Sequence, residues 1–410
     1  HTQSYVGILN SGVTGMLNRN VRKRENIRSV VDYDGQLSSG QIREVRIEDL
    51  LGRAVIKLDD DLLKDRFLDR RVLVTGAAGS IGSELVRQLL ALGAGEVLML
   101  DIAESALYDL EMEVKGGGHS NALPMVCDAC DERRMGEVFT AFRPEVVFHA
   151  AAYKHVPLME AQPREAVNTN VGGTRVVADL AVEHGVREFV LISTDKAVNP
   201  TSVMGASKRV AEQLVQTRTG GATIFITTRF GNVLGSSGSV IPLFRRQIAQ
   251  GGPVTVTHPD VTRFFMTIPE ACRLVLEAAV MGKGGEIYVF DMGQPVRIAD
   301  LAERMIRLSG KEPGREIEIL YSGLRPGEKL YEELLAGQEN TRPTHHPRIL
   351  IGSVREQEPA AMQRGISHLL ELSASSGDEE VVKQLKALVP EYRSQNSTYA
   401  TFDTPLEKSK

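Results

Sequence analysis

The chain has 410 residues, 42% hydrophobic and 25% charged, an ordinary balance for a globular protein with a sizeable core. Its formal net charge of -5 argues against a nucleic-acid role resting on bulk charge, and three cysteines fit a reducing compartment better than a disulfide framework. No apolar run approaches the ~18 residues that cross a bilayer, and no signal peptide is visible, so no membrane contact is expected of this segment itself. It opens HTQSYVGILN, without an initiator methionine, and reads as a fragment of a longer protein.

Residues 1–66 are charged and lack a strand rhythm. Only REVRIEDLLGR, Arg43 to Arg53, has helical spacing, and the whole stretch reads as an extension preceding the fold. From 67 to 230 the pattern changes. RVLVTG, EVLMLD, LPMVCD, EVVFHAAA, EFVLISTD and TIFITTRF are predicted strands, and GSELVRQLLALG and TRVVADLAVEHG are helices between them. This alternation predicts an α/β fold, a Rossmann-type doubly wound parallel sheet covered on both faces. Residues 231–350 carry more Gly and Pro and short elements, which suits a smaller substrate-binding region interleaved with the core. Residues 351–410 are assigned to a helical tail with one good candidate, VVKQLKALV, and a polar end expected to be mobile.

In VLVTGAAGSIGSEL a strand is followed by Gly76, Gly79, Ser80, Ile81 and Gly82 and then a helix. Glycines there let the backbone approach a pyrophosphate, whose charge sits at the helix N-terminus. Asp101 ends the second strand at the offset expected of a ribose-binding acid, which favours NAD over NADP. Asp128, ending the third strand, could contact the adenine edge or be a plain turn aspartate. Ala150, in HAAA after the fourth strand, allows a cofactor's close approach. Cys127 and Cys130 form a CxxC, but with no second pair they read as a strand end and loop, and the adjacent His345 and His346 chelate poorly, so no metal is predicted.

The Gly-rich loop, HAAAYKHV, NTNVGGT, STDK, MGASK and RFGNVLGSSGSV occur in this order. Together they resemble the extended short-chain dehydrogenase superfamily, and within it the nucleotide-sugar 4,6-dehydratases of the bacterial polysaccharide-biosynthesis branch, which includes UDP-N-acetylglucosamine 4,6-dehydratases. REVRIEDLLGR and LRPGEKLYEELL, Leu324 to Leu335, are similar to that branch too. The superfamily pattern has a tyrosine four residues before the helix lysine. Here that place holds Met204, before Lys208, as in the long members of the branch, whose catalytic part follows a membrane-spanning region.

The resemblance implies an NAD-dependent lyase acting on UDP-N-acetylglucosamine, pairing with copies of itself, in a parent protein at the cytoplasmic face of the inner membrane. It implies Asp195 as the acid and Lys196 as the base for elimination, with Thr194 bonding the C4 hydroxyl and Lys208 holding the nicotinamide ribose. Asn170 would prop the catalytic lysine through its main chain. Asn232, Arg263 and Arg325 would contact the sugar diphosphate or uridine, and Lys154 and His155 would line the cleft. Two rivals remain: a 4-epimerase, which would want the tyrosine, and a non-catalytic module that binds NAD or a nucleotide sugar, for which Met204 speaks.

Overall fold

The computed structural model describes residues 60–334, 341–352 and 358–403. The helical stretch expected over residues 43–53 lies outside them, as does Leu335. Six parallel strands form the heart of the molecule: β1 (Arg71–Thr75), β2 (Glu96–Asp101), β3 (Ala122–Val126), β4 (Val146–His149), β5 (Glu188–Thr194) and β6 (Ile224–Phe230). Their order is β3-β2-β1-β4-β5-β6, extended by Ile287–Phe290, parallel to β6, and then by two antiparallel strands, Ile349–Gly352 and Thr341–Pro343. The order reverses between β1 and β4, and that switch point opens the crevice where ligands bind in such sheets.

The strands are buried on both faces because their apolar residues alternate. Val72 and Val74 join one core cluster with Phe148 and Val190, while Leu73 joins the other with Val147 and Leu191. Helices Ser80–Ala91 and Ile268–Met281 cover the first face, and Glu132–Phe142, Thr174–Glu183 and Val203–Gln216 the second. A third cluster, built on Phe244, Val254, Val256, Phe265 and Ile306, sits among the short elements that follow β6.

The tail departs from expectation. VVKQLKALV lies in the helix Asp378–Leu388, but a longer helix, Pro359–Ser375, precedes it, and both pack on the second face through Met362, Ile366, Leu369, Val381 and Leu385. The polar end is docked through Asp403, not loose. Tyr392 is buried, Arg393 N donates to Pro200 O, and Gln395 N donates to Thr201 O. Its tethers are main-chain bonds, which side-chain polarity does not reveal. No helix among the described residues is long and apolar enough to cross a membrane.

A buried ionic knot fixes the helix Val203–Gln216 against β5 and β6. The Glu212 carboxylate accepts from Arg229 Nε at 2.7 Å, from the same guanidinium at 2.6 Å, from Arg209 at 3.2 Å and from Ser193 Oγ at 2.7 Å. Burial alone would push the Glu212 carboxyl up, but Arg229, Arg209 and the Ser193 hydroxyl outweigh it and hold the group at about 2. A carboxyl depressed by folding contributes stability that is complete above its unfolded value, ~4.3, and is lost as pH falls toward about 2. Glu212→Gln leaves the Arg229 charge in the core without its carboxylate. We expect it to cost about 3–5 kcal/mol in a urea titration at pH 7, with a smaller difference from the wild type at pH 3.

Candidate active site

The phosphate loop is shaped by contacts that only glycine allows. Gly76 has φ +65°, and a Cβ there would lie 2.6 Å from Ala151 N and 2.8 Å from the Ala150 carbonyl carbon. A Cβ on Gly82 would lie 2.1 Å from Gly76 O, so the helix can start only this close to the strand if that residue is bare. The helix from Ser80 has no side-chain cap and no acid in its first turn, leaving its N–H groups open to an anion. Ser80 Oγ accepts from Ser237 N at 3.2 Å, tying this loop to the segment after β6, and the Ile81 carbonyl faces the Cys272 thiol at 3.5 Å. Asp101 closes the loop: its carboxylate accepts from Ala78 N and Ala103 N, both at 2.9 Å. Asp128 Oδ1 accepts from Cys130 N at 2.9 Å, a turn contact, and its side chain is exposed at the same edge of the sheet. Burial pushes the Cys130 thiol up to about 12 and raises Cys127 as well, so neither is poised for thiolate chemistry.

Thr194, Asp195 and Lys196 meet Asn232 at the end of β5. A short 3₁₀ turn, Asp195–Ala197, follows the strand directly and aims consecutive side chains into the crevice. Asp195 is fully buried; its Oδ1 accepts from Thr194 Oγ1 at 2.8 Å and from Lys196 Nζ at 3.0 Å. Its Oδ2 has no protein partner. Lys196 Nζ also donates to Asn232 Oδ1 at 3.0 Å and lies 3.6 Å from Glu332 Oε1. Burial pulls the Lys196 ammonium down, but the Asp195 and Glu332 carboxylates outweigh it, and the net direction is up despite the opposing Arg263 charge. At neutral pH Lys196 therefore rests as an ammonium beside Asp195.

Met204 and Lys208 occupy successive turns of one face of the helix Val203–Gln216. The Met204 side chain is buried in the second-face core. Lys208 Nζ donates to the Ile192 carbonyl at 2.8 Å, and burial lowers the group to about 8 against the opposing pull of Glu212. His149, beneath the phosphate loop, bonds Thr75 Oγ1 at 2.8 Å and Thr174 Oγ1 at 3.1 Å; burial, with the Lys208 charge, holds it near 3 and neutral.

Other expected site residues are spent differently. Asn170 is fully buried on a π-turn; its side-chain amide bonds the Tyr153 backbone N–H and C=O and the Ser207 hydroxyl, and its carbonyl, the group expected to prop the catalytic lysine, accepts from Thr174 Oγ1 at 2.7 Å. Arg263 gives its guanidinium to Thr262 O, Leu330 O, Lys329 O and the Glu328 carboxylate, which makes it a clamp on the segment after Leu324. Arg325 bonds Glu328 at 3.2 Å but keeps most of its side chain exposed, so it remains open to a phosphate. Burial and the Lys196 charge lower Lys154, and burial with the Lys154 and Arg325 charges lowers His155, so the imidazole stands neutral within reach of two cations. His155 packs over Gly238, where a Cβ would lie 2.5 Å from its Cε1. His345 and His346 sit in a turn that Thr344 ties off.

Sequence reasoning missed Glu332. The residue stands inside the LRPGEKLYEELL motif, but the motif served only as a family mark, and nothing in its spacing places it against Lys196.

A family model described as polysaccharide biosynthesis protein matches residues 72–354. Over 321 residues the chain is 50% identical to the capsular polysaccharide biosynthesis protein CapD of Staphylococcus aureus, covering 77% of this chain and 53% of that protein. It is 36% identical over 283 residues to a UDP-glucose 4-epimerase of Rickettsia rickettsii, 67% of this chain and 80% of that one. The solved structure of DesIV, a dTDP-glucose 4,6-dehydratase of Streptomyces venezuelae with NAD and TYD bound, has a TM-score of 0.57 and 25% identity, covering 65% of this chain and 89% of that one. The chain spans about half the length of CapD. The model match covers β1 to β6 and the antiparallel edge of the sheet, and with it the whole crevice, so the chain belongs to the polysaccharide biosynthesis protein family.

Proposed function

We propose that this chain is a nucleotide-sugar lyase: an NAD-dependent 4,6-dehydratase of UDP-N-acetylglucosamine that yields a UDP-4-keto-6-deoxy-N-acetylhexosamine, with C5 configuration retained, for surface glycan synthesis. The observation that carries the reading is the buried Asp195–Lys196 pair at the end of β5. A 4-epimerase moves hydride at C4 alone and has no use for a second acid–base pair beside it.

The residues fit NAD. The bare Gly76–Gly82 loop and the uncapped helix start suit the pyrophosphate, and the Asp101 carboxylate suits the two hydroxyls of an adenosine ribose while repelling a 2′-phosphate. When bound, NAD supplies hydride chemistry, accepting from C4 and returning at C6. The protein must move four protons: off the C4 hydroxyl, off C5, onto the departing C6 hydroxyl, and back onto C5. Lys208, lowered to about 8 by burial, can take the C4 hydroxyl proton, directly or through a ribose hydroxyl or water. Asp195 and Lys196 then serve the elimination. Shifting one proton across their 3.0 Å contact turns the resting ion pair into a neutral acid and a free amine. A sugar that expels water from the crevice favours that neutral form, because it removes two buried charges. The amine takes the C5 proton and the carboxylic acid protonates the departing C6 hydroxyl; as hydride arrives at C6 the Lys196 ammonium returns a proton to C5, and the proton taken from the C4 hydroxyl balances the cycle. The cations at Lys154 and Arg325 suit the diphosphate. By resemblance to the long members of the branch, we extend the reading to a self-associating parent protein held at the cytoplasmic face of the inner membrane.

Incubation with NAD and UDP-N-acetylglucosamine should give a 4-keto-6-deoxy product; a C4 epimer or no turnover would overturn the reading. The protein stripped of nucleotide should bind NAD more tightly than NADP, and Asp101→Asn should narrow the gap in a calorimetric titration. Lys196→Ala should keep reversible hydride transfer at C4 but lose elimination, seen as failure to place solvent deuterium at C5. Met204→Tyr should change the rate without being required for activity. Loss of a placed general base costs ~100- to 10,000-fold, and Lys208 recovers part of it. A wild type that is inert while Met204→Tyr turns over would revive the binding-module rival.

A further inference from the structure

The segment after Leu324 is bolted onto the catalytic turn. Lys329 Nζ donates to Val198 O at 2.7 Å, Thr201 Oγ1 donates to Gly327 O at 3.0 Å, and Asn199 Nδ2 donates to Glu333 Oε2 at 3.0 Å. Arg263 grips the same segment from the other side through Glu328 and two carbonyls. These bolts deliver one side chain inward. Glu332 is buried, its Oε1 lies 3.6 Å from Lys196 Nζ and 3.9 Å from Arg263 Nε, and its Oε2 has no protein partner.

We propose that Glu332 is a positioning residue for the dehydration: a second carboxylate that holds Lys196 Nζ against Asp195 and sets how firmly the amine keeps its proton. This inference rests on the reading of Asp195 and Lys196 as the elimination pair. A lysine side chain has four rotatable carbons and no rigidity of its own. Asp195 alone would let Nζ swing; the Asn232 oxygen adds a second hydrogen-bond acceptor at 3.0 Å and the Glu332 carboxylate an ion pair at 3.6 Å, which together define where the amine points. Asn232 is neutral, so the electrostatic part falls to Glu332. The charges around Lys196 are Asp195 and Glu332 on one sign and Arg263 and Lys154 on the other. Arg263 is already committed to Glu328, which leaves Glu332 as the counter-charge that offsets Lys154 and keeps the ammonium from discharging into solvent before a sugar arrives. The segment that carries Glu332 also carries Arg325, the cation suited to the diphosphate, so seating of the nucleotide and placement of the amine share one mechanical support.

The test uses the full chain with NAD. In protein carrying ¹³Cε-lysine, with Lys196 assigned by Lys196→Arg, we expect Glu332→Gln to move the Lys196 titration down by about one pH unit, as loss of a nearby opposite charge does. C5 deuterium incorporation should fall about tenfold or more, with C4 hydride transfer and the KM for the nucleotide sugar little changed. Glu332→Asp, which keeps the charge one methylene farther away, should recover part of both effects, and it stands in if Glu332→Gln does not fold. An unchanged Lys196 titration, or C5 exchange at the wild-type rate, overturns the proposal. A wild type that makes no 4-keto product overturns the dehydratase reading instead, and the lysine titration still decides whether Glu332 governs Lys196.

Discussion

The buried Glu212 carboxylate is the constraint on which the site depends. Three strands and helices meet at its two oxygens: β5 through Ser193, β6 through Arg229, and its own helix through Arg209. The residues it joins lie beside the chemistry. Ser193 precedes Thr194 and Asp195, Arg229 precedes Gly231 and Asn232, and Glu212 lies one turn beyond Lys208. Ion pairs of this kind add little net stability over an apolar core, since desolvation consumes most of the Coulomb gain. What this one contributes is registry: a hydrophobic replacement could slide, but a guanidinium forked on a carboxylate has one geometry. The two walls of the crevice are thereby locked at a fixed separation.

Close approach on the other side is set by a missing side chain. Gly205, the residue after Met204, lies so near the catalytic turn that a Cβ would be 2.3 Å from Lys196 O. Ser202 caps the helix at this point by accepting from Gly205 N at 3.1 Å. The cap starts the helix, the glycine lets it press on the turn, and Lys208 then arrives one turn later beside β5. A Cβ on Gly231 would likewise lie 2.8 Å from Asp195 Oδ2. The site is thus packed to the backbone on two sides, and Asp195 Oδ2 and Glu332 Oε2 are buried within it without protein hydrogen-bond partners.

Much of this was legible in the sequence, for local reasons. Short β-branched apolar runs marked the six strands, and glycine spacing between a strand and a helix marked the phosphate loop. Asp195, Lys196 and Lys208 could be placed because each lies within a few residues of a strand end or a helix start. The rest depended on contacts distant in sequence. Glu332 lies 136 residues from Lys196, and Arg263 turns inward to a segment 65 residues later. The helix Pro359–Ser375 has only a weak apolar stripe, and the chain end is held by main-chain bonds. Neither kind of contact leaves a periodic trace. The same distance separates Arg263 as expected, a phosphate ligand, from Arg263 as found, a clamp: an arginine's residue type fits both, and only its neighbours decide.

Met204 gains its meaning from this arrangement. In the superfamily pattern a tyrosine hydroxyl stands one helical turn before the lysine and shares its charge. A thioether there neither donates nor accepts strongly. Lys208 therefore faces an apolar neighbour on its own helix face, has the Ile192 carbonyl as its fixed acceptor, and falls to about 8 through burial. An ordinary lysine, near 10.4, would hold its proton too firmly to accept one from an alcohol. In the proposed mechanism Lys208, lowered to about 8 by burial, stands in for the missing hydroxyl. The contacts that hold Asp195 and Lys196 come from Thr194, Asn232 and Glu332, and none of them runs to Met204.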